Sequence, residues 1–150
     1  YTLSLHDALP ISRKISTYTV QDEGRDFGKV FQITEMPSSQ AEKWALRALL
    51  GMIEKGVDLP EGIEDTGFAG LARMGISFIG KLPFETAELL LNEMFTCVRI
   101  MPNPNDRSVV RDLIEDDIEE VATRVKLRLA VWKLHVDFSK AVAPSTSAQA

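Results

Sequence analysis

The residues with the greatest potential for chemistry are five acidic side chains that lie close together in the sequence. They are Glu115, Asp116, Asp117, Glu119 and Glu120. Carboxylates bind calcium, but a calcium loop spaces its ligand oxygens around a glycine turn, and these residues follow one another without a glycine. Carboxylates also stabilise the positive end of a helix when they lie in its first turn. The acidic run therefore predicts the N-terminus of a helix, capped by Asp116 and Asp117, and no metal site.

Two other side chains with reactive groups, Cys97 and His135, also lack the partners that catalysis needs. A zinc site needs more than the single histidine that follows residue 12, and a Cys–His dyad needs a third group that orients the base. Cys97 lies in an apolar helical pattern, which indicates a buried structural thiol. Residues 24–29, GRDFGK, lack the length and the final Lys-Ser/Thr of a phosphate-binding loop, so they predict a turn. We expect no catalytic residue, no cofactor, no metal and no enzymatic activity.

The composition is that of an ordinary soluble globular protein. Of the 150 residues, 45% are hydrophobic and 26% are charged, which suits one domain. No window approaches the roughly 18 unbroken apolar residues of a membrane span. The formal net charge of -5 disfavours nucleic-acid binding, and a single cysteine fits a reducing cytoplasm.

The chain is predicted to contain one domain, over residues 13–140, between two segments outside the fold. Residues 1–12 match the translation of a sequencing-library adapter and its junction codon, and we interpret them as an artefact. Residues 141–150 have the composition of a disordered tail. At the start of the domain, residues 15–34 contain two apolar runs at strand period around a polar loop with a glycine, which predicts an antiparallel hairpin.

Helical periodicity follows the hairpin. Four helices are predicted, over about residues 39–55, 66–79, 84–99 and 116–139. Ser39 and Glu42 have capping-box spacing at the start of the first helix, and Gly56 supplies its left-handed stop. Residues 109–114 fit either an extended segment or a turn. The predicted fold is mainly α, with an N-terminal β-hairpin, a compact bundle of about four helices and minor strand content.

The last predicted helix is apolar along two seams. The first seam contains Ile118, Val121, Val125, Trp132 and Val136, with Leu129 beside it, and the second contains Leu127, Val131, Leu134 and Phe138. One apolar face is enough to pack a helix on a core. A helix with two such faces either lies at the centre of the fold, pairs with another copy, or presents a surface to a partner.

Four segments of this sequence resemble a family of tail assembly chaperones of long-tailed, siphovirus-like bacteriophages and prophages. They are residues 17–37, 40–50, 82–104 and 113–138. The resemblance implies a protein that binds and solubilises the tape measure protein in the bacterial cytoplasm. It also implies recruitment of tail tube subunits and absence from the mature virion.

The resemblance implies that the tape measure protein, as the client, binds to apolar faces of the helices. The candidate residues are Leu127, Val131, Trp132, Leu134 and Phe138 on the last helix, and Trp44 and Leu49 on the first. The alternative function is that of a small structural virion protein, such as a tail completion or tube-associated component. Formation of a homo-oligomer through the edge of the hairpin also stays open.

Overall fold

The computed structural model of the protein describes residues 13–59, 61 and 75–142, with residues 137–142 described by their backbone alone. Its regular elements are β1 (Ile15–Thr19), β2 (Val30–Thr34), α1 (Ser38–Glu54), α2 (Phe84–Met94), β3 (Val98–Met101), β4 (Arg111–Asp112) and α3 (Val121–Val142). Short 3-10 segments occur at Ile76–Lys81, Phe95–Cys97 and Glu115–Asp117. The adapter-like residues 1–12, residues 66–74 of the second predicted helix and residues 143–150 of the tail lie outside the described residues.

The strands form an antiparallel sheet in the order β1-β2-β3-β4. The predicted hairpin is confirmed, since β1 and β2 pair along their whole length. Side chains on a strand alternate between the two faces of the sheet. Phe31 of β2 lies opposite Tyr18 and Ile100, so these three form an apolar row across three strands. The neighbouring row contains Gln32 and Arg99, so the opposite face of the sheet is partly polar.

The predicted fold class is wrong in one respect: the fold is mixed α and β, and the hairpin is only half of its sheet. The third helix was predicted over residues 84–99, but it ends at Met94. A 3-10 turn then leads into β3, where Val98 pairs with Ile33 and Ile100 pairs with Phe31. The reason is that pairing with β2 buries these apolar side chains, and a four-residue segment with three apolar residues does not distinguish a strand from the end of a helix.

The helices pack together and enclose the core against the apolar face of the sheet. α3 contacts β1 and β2, and α2 packs against both α1 and α3. The buried cluster draws side chains from every layer, including Phe31, Trp44, Leu90 and Leu127, each at most 1% exposed. The segment before α2, at Ile76–Lys81, contributes Phe78 to the same cluster, and it is a 3-10 helix where an α-helix was predicted.

The ends of α1 depend on its backbone more than on capping side chains. The predicted capping box is wrong, because Pro37 is the N-cap residue and no side chain caps the helix. Gly56 does provide the predicted stop, with a φ of 73° that an L side chain rarely adopts. Gly51 allows close packing, since a Cβ added there would lie 3.0 Å from Leu82 and 3.1 Å from Thr86.

The N-terminus of α3 is capped by a residue from the β1–β2 loop. The helix begins at Val121, five residues after the predicted start, because residues 115–117 form a separate 3-10 turn. Asp26 accepts hydrogen bonds from the backbone N–H groups of Glu119 and Glu120, at 3.0 and 2.8 Å. The predicted cap formed by the acidic run is therefore wrong, and the hairpin loop determines where α3 starts.

Candidate docking faces

Residues of the acidic run take part in the contacts between the β1–β2 loop and the start of α3. Asp117 is buried and forms a bidentate ion pair with Arg111 at 2.8 Å, and it also accepts the N–H of Ile114 at 2.7 Å. The hydrogen bond from Arg111 lowers the pKa of Asp117 despite its burial. Glu119 and Glu120 pair with Arg25 of the loop. Among the described residues, no group of three or more acidic, histidine or cysteine side chains is arranged to hold a metal ion.

Cys97 and His135 are both buried and have structural surroundings. His135 accepts the backbone N–H of Met36 at Nε2, at 2.9 Å, and its Nδ1 lies 2.9 Å from the carbonyl of Val131. Because a carbonyl oxygen only accepts, Nδ1 carries the proton. The imidazole thus joins α3 to the segment between β2 and α1. The prediction that Cys97 is a buried thiol is confirmed, and burial raises its pKa to about 12.

We expect Cys97 to be nearly unreactive in the folded protein. Thiol reagents attack the thiolate, and both the burial of Cys97 and its raised pKa suppress that form at neutral pH. Reaction with a disulfide reagent at pH 8 should be slower than that of the urea-unfolded chain by at least about 100-fold. Absorbance measurements of the released thiolate check this, with free cysteine as the control. A folded protein that reacts as fast as the unfolded chain would contradict the buried position of Cys97.

Most of the predicted client-binding residues are part of the core. Leu127 and Val131 are at most 1% exposed, and Trp132 is 8% exposed. On α1, Trp44 is 1% and Leu49 is 6% exposed. The prediction that these side chains form a surface is therefore wrong for the folded protein, because they pack between the sheet and the other helices. Leu134 is half-buried against the same core, and the side chain of Phe138 lies outside the described residues.

An exposed apolar face lies instead on the outer side of α1. Leu46, Leu50 and Ile53 are between 52% and 56% exposed. Their spacing of four and three residues aligns them along one side of the helix, opposite the side that buries Trp44 and Ala48. We name these three residues the α1 face. This face was not predicted from the sequence, although its three large aliphatic residues have helical spacing.

A second exposed apolar face lies on the first half of α3. Val121, Val125 and Leu129 are 76%, 48% and 45% exposed, at a spacing of four residues. Val121 and Val125 belong to the first predicted seam of this helix and Leu129 lies beside it, while the later members of that seam, Trp132 and Val136, are buried. We name these three residues the α3 face. Of the second predicted seam, Leu127 and Val131 are buried and Leu134 is half-buried, whereas the first half of α3 exposes the α3 face.

Two arginines lie beside the α3 face, and both guanidinium groups stack on the same aromatic ring. The guanidinium carbons of Arg124 and Arg128 lie 4.3 and 4.7 Å from the centre of the Phe95 ring. No carboxylate of the described residues lies within ion-pair distance of either, and Glu120, four residues before Arg124, pairs with Arg25. Burial and the charge of Arg124 lower the pKa of Arg128. The α3 face therefore has an uncompensated cationic border.

None of the helices in the described part of the chain has both the length and the apolar character needed to cross a membrane. Comparison of the chain with models of protein families, with curated proteins and with solved structures finds no match.

Proposed function

We propose that the protein is a non-enzymatic tail assembly chaperone of a long-tailed phage or prophage. In this role it binds the tape measure protein in the bacterial cytoplasm, keeps it soluble and helps to recruit tail tube subunits. It leaves the assembly before the mature virion forms. The resemblance of residues 17–37, 40–50, 82–104 and 113–138 to this family supports the proposal.

The structural observation that carries the proposal is the α1 face. Leu46, Leu50 and Ile53 each leave more than half of a large aliphatic side chain in solvent. A tape measure protein is a long helix, and an amphipathic helix binds partners through anchors at spacings of three and four residues. The α1 face has this spacing, so it matches one to two turns of the apolar stripe of such a helix. Covering that stripe in repeats would prevent the long protein from aggregating.

Replacing the α1 face with glutamine should abolish client solubilisation and leave the fold intact. The variant carries Leu46→Gln, Leu50→Gln and Ile53→Gln. Because all three side chains are exposed, each change should alter the free energy of unfolding by only about 0.5 kcal/mol. Loss of three aliphatic anchors should reduce the amount of soluble tape measure protein by at least about tenfold. Co-expression of the full chain with the tape measure protein of the same genome, followed by pull-down from the soluble fraction, measures the effect.

The matched control replaces three apolar side chains that are exposed elsewhere. Phe84→Gln, Leu89→Gln and Ile114→Gln remove residues that are 72%, 57% and 62% exposed, and client solubility should not change. If the control variant fails as completely as the α1 variant, the α1 face is not the binding surface. If the wild-type chain neither binds nor solubilises the tape measure protein, the chaperone proposal is wrong. Recovery of the protein from purified particles would then favour a structural virion component.

A further inference from the structure

The α3 face differs from the α1 face in its electrostatics. Val121, Val125 and Leu129 span about 12 Å along the helix, which is about two turns. Arg124 and Arg128 occupy the positions three residues after Val121 and Val125, so they form a parallel cationic row next to the apolar one. An amphipathic helix with an acidic border would contact both rows at once.

The arginine row is held in place before any partner arrives. Both guanidinium groups stack on Phe95, and Nε of Arg128 lies 3.4 Å from the carbonyl of Leu91. Two like charges held over one ring repel each other, and a carboxylate placed beside them would relieve that repulsion. Arginine side chains that are already ordered lose less conformational entropy when they bind a carboxylate.

We propose that the α3 face binds an α-helix of another protein whose apolar stripe is bordered by glutamate or aspartate. The α1 face of a second copy of the chain fits this description poorly. The α1 face is bordered by charges of both signs, because Lys43 lies three residues before Leu46 and Glu54 lies four residues after Leu50. Nucleic acid also fits poorly, since the net charge is -5 and α3 follows a run of carboxylates.

Designed peptides test this surface without any phage protein. Three monomeric helical peptides share one leucine stripe and differ only in the residues that border it, which are all glutamate, all glutamine or all lysine. Fluorescence anisotropy with the full chain should give a dissociation constant about tenfold lower for the glutamate peptide than for the glutamine peptide. The lysine peptide should bind most weakly. The advantage of the glutamate peptide should shrink strongly in about 1 M salt, where charges at a surface are screened.

Variants of Arg124 and Arg128 test whether this arginine row causes the preference for the glutamate peptide. Arg124→Gln with Arg128→Gln should bind the glutamate and glutamine peptides equally, through the apolar stripe alone. Arg124→Lys with Arg128→Lys keeps both charges and should retain the preference, which separates charge from any change in packing on Phe95. The matched control, Arg99→Gln with Arg107→Gln, removes two cations of β3 and its following loop and should behave as the wild type.

Three results would overturn the proposal. The first is equal affinity of the wild-type protein for the glutamate and glutamine peptides. The second is a preference for glutamate that survives in the Arg124→Gln and Arg128→Gln variant. The third is a concentration-dependent dimer in sedimentation experiments that this variant abolishes, because the face would then bind a second copy. These experiments do not use the tape measure protein, so either proposal can be refuted while the other stands.

Discussion

Replacing Asp26 with alanine should lower the free energy of unfolding by about 3 to 5 kcal/mol, the usual loss when one partner of a buried charge pair is removed. The Asp26 carboxylate is 1% exposed and accepts the N–H groups of Glu119 and Glu120. Lys29 donates to it at 2.8 Å. Alanine would leave two helix N-terminal donors and a part-buried ammonium without this acceptor. Urea unfolding at pH 7, followed by circular dichroism, measures the loss.

The contribution of Asp26 should disappear in acid. Burial by itself raises its pKa, but hydrogen bonds from Lys29, Glu119, Thr123 and Glu120 outweigh burial and hold the pKa well below its usual range. The unfolded chain, with an aspartate pKa of about 3.9, therefore takes up the proton more readily than the folded protein. The stabilisation is complete above about pH 5 and falls as the pH drops below about 4. The Asp26→Ala variant should show a shallower decline over this range than the wild type.

Asp22→Ala provides the control for Asp26, because it removes an aspartate of the same loop that is exposed. Asp22 pairs with Lys126 of α3 at 2.5 Å, and the two side chains are 47% and 46% exposed. Exposed pairs of this kind contribute about 0 to 1 kcal/mol. If the two alanine variants lose equal stability, the buried cap formed by Asp26 does not anchor the start of α3.

The hairpin and α1 could be predicted because their patterns are local. Phe31 and Ile33 alternate with Gln32 and Thr34, and this alternation matches the two faces of a strand. Trp44, Ala48 and Met52 recur every four residues and are all buried on one side of α1. In both elements the buried residues repeat at the period of the element, so periodicity identifies the element and the side that meets the core.

The second half of the sheet and the start of α3 could not be predicted, because both depend on residues far apart in the chain. β3 is extended since Val98 pairs with Ile33, and no short window of sequence contains both residues. The cap of α3 comes from Asp26, which is 94 positions away from Glu120. The sequence predicted that nearer carboxylates, such as Asp117, cap the helix, but Asp117 pairs with Arg111 instead.

Periodicity could not predict the orientation of α3, for a different reason. The helix is apolar on two sides, and the pattern does not state which side meets the core. In the structure Leu127 and Val131 are buried in the core, while Val125 is 48% exposed. A binding surface deduced from the seam alone was therefore assigned to the buried side.

Replacing Trp44 with alanine should lower the free energy of unfolding by about 3 to 5 kcal/mol, since the change removes a fully buried aromatic side chain and leaves a cavity. Trp44 is 1% exposed, and its ring centroid lies 5.9 Å from Phe78 and 6.1 Å from Trp132. Its indole N–H donates to the carbonyl of Leu90 at 3.1 Å. Urea unfolding measured by circular dichroism gives the size of the effect.

Two further variants separate a core role of Trp44 from a role in client binding. Trp44→Phe keeps much of the ring packing and loses the bond to Leu90, so it should cost about 1 to 3 kcal/mol. Leu46→Ala removes a side chain of the same helix that is 52% exposed and should cost about 0.5 kcal/mol. In the co-expression assay the order should reverse, with Leu46→Ala impairing client solubilisation more than Trp44→Phe. A Trp44→Ala protein that keeps full stability but no longer binds its client would place Trp44 at the surface and contradict the core described above.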